Sequence, residues 1–134
     1  MVYIDTPNAL VMWDSVTRSV ILEWRNFVFG DEYRGALDAV IKAMEEHRSN
    51  KVLSDSRRMR AIPQDDQDWL LKEWVPRAYK AGLKHMAIVL PKSTLGQMTL
   101  HQLAKVGPDK RLVSNDGTSY FETVEEAKRW FISL

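Results

Sequence analysis

The chain contains no cysteine, which removes disulfides, thiolate nucleophiles and cysteine-ligated zinc or iron–sulfur centres from consideration. It lacks any apolar run approaching the roughly 20 residues that span a bilayer, so it is expected not to be transmembrane. The opening residues, MVYIDTPNAL, show no basic stretch followed by an apolar core, and a cytoplasmic location is expected. Charge of one sign is also missing. Nineteen Lys and Arg against eighteen Asp and Glu leave a formal net charge of +1, too little for a global field that holds a polyanion. The only basic cluster, Arg57, Arg58 and Arg60, stands beside Asp65, Asp66 and Asp68. It is read as an internally compensated surface, so no nucleic-acid partner is expected.

Chemical signatures are equally sparse. His47, His85 and His101 are far apart in sequence and form no HxxxH or HxxE pair, so no metal site is expected. The six glycines build neither GxGxxG nor a P-loop, and no GxSxG elbow occurs. Without a complete catalytic motif the expectation is a non-enzymatic protein with no cofactor.

What is present is a well-patterned soluble domain: 134 residues, 45% hydrophobic and 28% charged, enough for one core. Residues 9–13 and 19–25 are β-rich runs separated by a polar segment, an antiparallel hairpin signal. Val20, Leu22 and Trp24 share one face of the second run, and Ile21, Glu23 and Arg25 share the other. From Asp31, Tyr33, Leu37, Val40, Met44 and His47 recur at helical spacing. Val52 to Asp55 reads as a short strand and residues 57–63 as a loop. Asp65 or Asp66 is expected to cap the next helix, whose stripe of Leu70, Leu71, Trp74, Val75, Ala78 and Ala81 faces the core and which Pro76 should bend on its outer side. Residues 84–90 form the most continuous apolar run, the pattern of a central parallel strand. Residues 93–105 carry an imperfect helical stripe. Residues 111–113 and 119–121 flank an Asn115-Asp116-Gly117 turn, as one strand with an excursion or as a small hairpin. Thr123 and Glu126 make a capping box for a last helix. A hairpin followed by alternating helix and strand predicts an α/β fold with a mostly parallel sheet.

Two pairs of residues stand out as candidates. Asp55 and Arg57 lie at i, i+2 at the C-terminal end of a parallel-type strand, where open α/β sheets place ligand sites, and a carboxylate there can orient a guanidinium. An Asp that merely braces its loop is the more ordinary alternative. Trp69, off the core stripe, could stack on a ligand or cover its own helix, and Arg77 could reach Glu73 or a ligand anion. Trp24 and Trp74 are read as core.

The segments VLSDSR (52–57), WLLKEWVPRAYKAGLK (69–84), MAIVLPKS (86–93) and YFETVEEAKRWF (120–131) together resemble the small bacterial STAS/CRAL-TRIO-like, or SpoIIAA-like, proteins, a family largely of unknown function. The similarity runs from about Val11 to Phe131. It implies one domain over 1–134 with the SpoIIAA-like (STAS) β-α superhelix. In the phosphorylated antagonists of that family a Ser directly after an Asp starts the helix following the third strand. The corresponding region here, Ala61 to Asp66, has neither Ser nor Thr, and Asp55-Ser56 falls too early, so a Ser phosphoswitch is not expected. The expected function is a binding or regulatory module that contacts a protein partner or a small apolar or anionic ligand through Asp55, Arg57, Trp69 and Arg77. The alternative is a carrier of a lipid or hydrophobic metabolite. A homodimer is a further expectation, because a sheet edge or mixed face would need covering.

Overall fold

The structure, a computed structural model, describes residues 1–106 and 117–134, with residues 104–106 described by backbone alone. Among the described residues six strands form one mixed sheet in sequence order: β1 (Val2–Asp5), β2 (Ala9–Asp14), β3 (Ser19–Trp24), β4 (Lys51–Asp55), β5 (His85–Val89) and β6 (Thr118–Phe121). The first three are joined antiparallel, and β3 to β6 run parallel. The hairpin, the parallel strands and the α/β class agree with the sequence pattern. β1 is an addition: its alternation is interrupted by a register shift between Val2 and Ile4, which hides it from a period-two search. The proposed strand at 111–113, and with it the choice between a hairpin and one strand with an excursion, lies outside the described residues.

Each parallel step needs a crossover. These are α1 (Gly30–His47), then α2 (Gln64–Trp69) continuing through a wide turn into α3 (Val75–Lys80), then α4 (Thr94–Val106). All three pack on one face of the sheet, as crossovers of one hand must when each moves on to the next strand in the same direction. Val20, Leu22, Trp24, Val52, Met86 and Ile88 point into that layer. Among the described residues the other face is covered by α5 (Val124–Ser133), whose Ala127 and Phe131 bury Ile21, Leu53, Ala87 and Val89. Half of the capping box forms as expected: the Thr123 hydroxyl accepts from the Glu126 N–H at 3.1 Å, and donates to the Glu126 carboxylate at 3.1 Å. Among the described residues no helix is long and apolar enough to cross a membrane.

Two local expectations are corrected. Neither Asp65 nor Asp66 caps α2, whose N-cap position is Pro63 without a side-chain bond. Asp66 turns instead to α1, accepting from the Gly30 N–H at 2.8 Å and from Arg34 Nε at 3.1 Å, because burial gives its carboxylate a second helix start to serve. Pro76 is exposed, as expected, but the helix does not simply bend there. The turn Leu70–Trp74 directly before it is a π-helix, with the Val75 N–H bonded to the Leu70 carbonyl. The widened turn keeps Leu70, Leu71, Trp74, Val75 and Ala78 all buried while Pro76, without an N–H, faces water.

Candidate functional site

β3 and β4 pair in parallel register with Glu23 opposite Asp55. Strand alternation puts both carboxylates on the α5 side of the sheet, at the C-terminal ends of their strands. Asp55 is 5% exposed, so its charge needs a partner. Arg57 supplies it with two bonds, Nε to Oδ1 at 2.9 Å and Nη2 to Oδ2 at 2.8 Å, while the Arg57 N–H also reaches Oδ1 at 3.3 Å. This forked geometry holds the guanidinium in one orientation. The bonds to Asp55 outweigh desolvation and raise the Arg57 pKa further, with smaller help from the charges of Asp55, Glu125 and Glu23. Glu23 is paired by a single bond with Arg25 Nε, and Arg25 also reaches Asp5 through Nη1.

The strand ends at Asp55, and the chain turns at once. Ser56 donates its N–H to the Val89 carbonyl at 3.1 Å, and the Arg57 carbonyl accepts from the Lys92 N–H at 3.1 Å. The loop after β4 is thereby tied to the segment after β5. The result is a polar cleft of about 210 Å³ lined by Glu23, Trp24, Asp55, Arg57, Arg58 and Lys92. Arg58 and Lys92 are exposed, and neither has a carboxylate within ion-pair distance among the described residues. The expected neutralisation of Arg57, Arg58 and Arg60 by Asp65, Asp66 and Asp68 is not what forms: Asp55 takes Arg57, and Asp66 takes Arg34.

The other two candidates lie elsewhere. Trp69 and Arg77 belong to the helical layer on the opposite side of the sheet from Asp55. The Trp69 ring has Arg34 at 5.4 Å and Arg77 at 5.7 Å from its centroid, and Arg77 Nη2 donates to Asp38 of α1 at 2.7 Å. From Glu73, Arg77 takes only the backbone carbonyl, at 3.3 Å, and not the side chain. The indole is thus occupied by the chain's own cations. Asp55 with Arg57 and Trp69 with Arg77 are two pairs on two faces. Trp24 and Trp74 are core, and Trp74 Nε1 donates to the Leu37 carbonyl at 2.7 Å.

A second hollow lies inside the helical layer. It is an apolar cavity of about 50 Å³ bounded on the sheet side by Leu22, Met86 and Ile88 and on the helix side by Leu70, Trp74 and Leu103. Ser54 and Ser56 bring hydroxyls to its wall, and these bond each other at 3.1 Å. Ser56 is 3% exposed, which withholds it from a modifying enzyme. Among the described residues no cluster of His, Asp or Glu could hold a metal ion.

Sequence reasoning missed Glu23 and Lys92 as cleft residues. The available signal was position: Glu23 stands at the C-terminal end of β3, as Asp55 does of β4, and Lys92 lies three residues past the end of β5. Comparison with known proteins found no family model, curated sequence or solved structure that matches this chain.

Proposed function

We propose that this chain is a non-enzymatic binding module of the STAS/SpoIIAA-like kind, contacting its ligand or partner at the cleft that closes the C-terminal ends of β3 and β4. The observation that carries this reading is the buried Asp55 carboxylate fixing Arg57 at the wall of an open polar cleft. A cleft of this kind at the carboxyl edge of parallel strands is where α/β sheets bind ligands. On this reading Arg57 makes contact, Asp55 positions it, and Trp69 and Arg77 brace α1 against the following helix. The buried Ser56 supports the expectation that no Ser phosphoswitch operates.

The test is isothermal titration of the partner or metabolite recovered by affinity capture. Arg57→Ala and Asp55→Asn should abolish binding, and Trp69→Phe should leave it intact. Retention of binding in both cleft variants, or its loss in Trp69→Phe alone, would overturn the assignment.

A second reading, a carrier of a lipid or hydrophobic metabolite, draws on the apolar cavity. Its volume of about 50 Å³ is room for a few water molecules. Ligand pockets run to roughly 300–1,000 Å³, so a carrier would require the helical layer to part. Native mass spectrometry of freshly purified protein decides this: a co-purified apolar molecule favours the carrier, and a consistently empty protein dismisses it.

A further inference from the structure

Within the cleft, cations and carboxylates are not evenly matched. Glu23 and Asp55 each have an arginine of their own, which leaves Arg58 and Lys92 facing the same space without a counter-charge among the described residues. Arg57 spends Nε and one N–H of Nη2 on Asp55, so the far edge of its guanidinium keeps unused donors, and its side chain is 40% exposed. Because the Lys92 N–H is bonded to the Arg57 carbonyl, the backbones that carry these cations are held side by side before any ligand arrives. Of the three side chains, Arg57 is held in place by Asp55 and binds without the ordering cost that the exposed Arg58 and Lys92 still incur.

The shape of the ligand follows from the number and separation of these donors. A carboxylate has two oxygens in one plane, which a single arginine fork satisfies. Three cationic side chains on different backbone positions suit a tetrahedral group with oxygens in several directions. A cleft of about 210 Å³ admits such a group with a small organic remainder. The carboxylates of Glu23 and, through its field on Arg57, Glu125 oppose a second anionic group close by.

We propose that the cleft binds the phosphate group of a small phosphorylated molecule, held directly by Arg57, Arg58 and Lys92, with Asp55 as the positioning residue for Arg57. This rests on the binding-module reading above and names its ligand class.

The test uses the full chain, isotope-labelled, titrated with inorganic phosphate and separately with pyrophosphate at constant ionic strength maintained by chloride. Saturable amide shifts should appear in Asp55–Met59 and at Lys92. Arg58→Ala and Lys92→Ala should each raise the apparent Kd by about tenfold, the loss of one charge-assisted contact. Both side chains are exposed, so both variants should keep the wild-type spectrum elsewhere. Linear shifts spread over the surface lysines, or saturation unaltered by both substitutions, would overturn the proposal. The two readings fail differently. If phosphate never saturates while the captured ligand still requires Arg57, the phosphate assignment falls and the module stands. If phosphate saturates with the expected dependence while the captured ligand ignores Arg57, the phosphate site stands and the module's contact surface lies elsewhere.

Discussion

Asp66 shows how much one side chain can decide. It is 3% exposed on the first turn of α2, yet its carboxylate serves the start of α1, taking the Gly30 N–H and Arg34. An N-terminal N–H without an acceptor costs about 1 kcal/mol, and stripping the partner from a half-exposed arginine adds a similar amount. Asp66→Ala should therefore lower stability by about 2 kcal/mol in urea denaturation. Asp65→Ala, with an exposed side chain, should stay within about 0.5 kcal/mol of wild type. Equal effects would mean that Asp66 acts only through the dipole of its own helix. Asp55 follows the same logic at the cleft: a carboxylate this buried is retained only where its bonds are satisfied, and satisfying them fixes Arg57.

Among the elements, the helix pair around the π turn gives its two tryptophans different environments. Trp74 lies at the end of the turn, 1% exposed, with its indole N–H bonded to the Leu37 carbonyl of α1. Trp69, one turn earlier, lies half-buried between Arg34 and Arg77. Trp74→Phe removes buried volume and a hydrogen bond, and should cost about 2–3 kcal/mol. Trp69→Phe keeps a ring for both guanidinium groups and should cost less than about 1 kcal/mol. Chemical denaturation of the two variants checks the ranking, and a reversal would show that the two cations, and not the core, hold α2 to α1.

Over the whole molecule, titrating groups on opposite sides of neutrality set a stability plateau. Burial pushes the Tyr120 phenol up to about 12, and burial together with the bond to Glu46 does the same for Tyr3. Tyr33 is raised as well, by burial first and then by Asp66. A raised phenol contributes stability that is complete below the ordinary tyrosine value of about 10 and is lost as pH rises through the folded value. His85 is shifted the other way, lowered by burial and then by Lys51 and Lys84. Its contribution is present above the ordinary histidine value of about 6.5 and fades as pH falls below it. The melting temperature should accordingly be flat between about pH 7 and 10 and fall on either side. Tyr120→Phe should soften the alkaline fall in circular-dichroism melts. A fall that begins well below pH 10, or that ignores this substitution, would contradict the assignment.

The hairpin and the alternation of helix and strand that follows it, the shared face of Val20, Leu22 and Trp24 on β3, the helix start at Thr123 and the pairing of Asp55 with Arg57 were legible in the sequence. Each is a local property: period two, period 3.6, or an i, i+2 spacing on a chain leaving a strand. β1 escaped because a register shift breaks its alternation, and the role of Asp66 because the donors to its carboxylate, Gly30 and Arg34, lie 36 and 32 residues away. The cleft itself was decided by tertiary structure. The parallel register of β3 on β4 sets Glu23 beside Asp55, the bonds of Ser56 to Val89 and of Lys92 to Arg57 bring the segment after β5 alongside, and the side of the sheet separates this group from Trp69 and Arg77. Local patterning fixes which way a side chain leaves its own strand or helix, whereas the neighbours it meets there depend on long-range pairing and crossover, which no local spacing encodes.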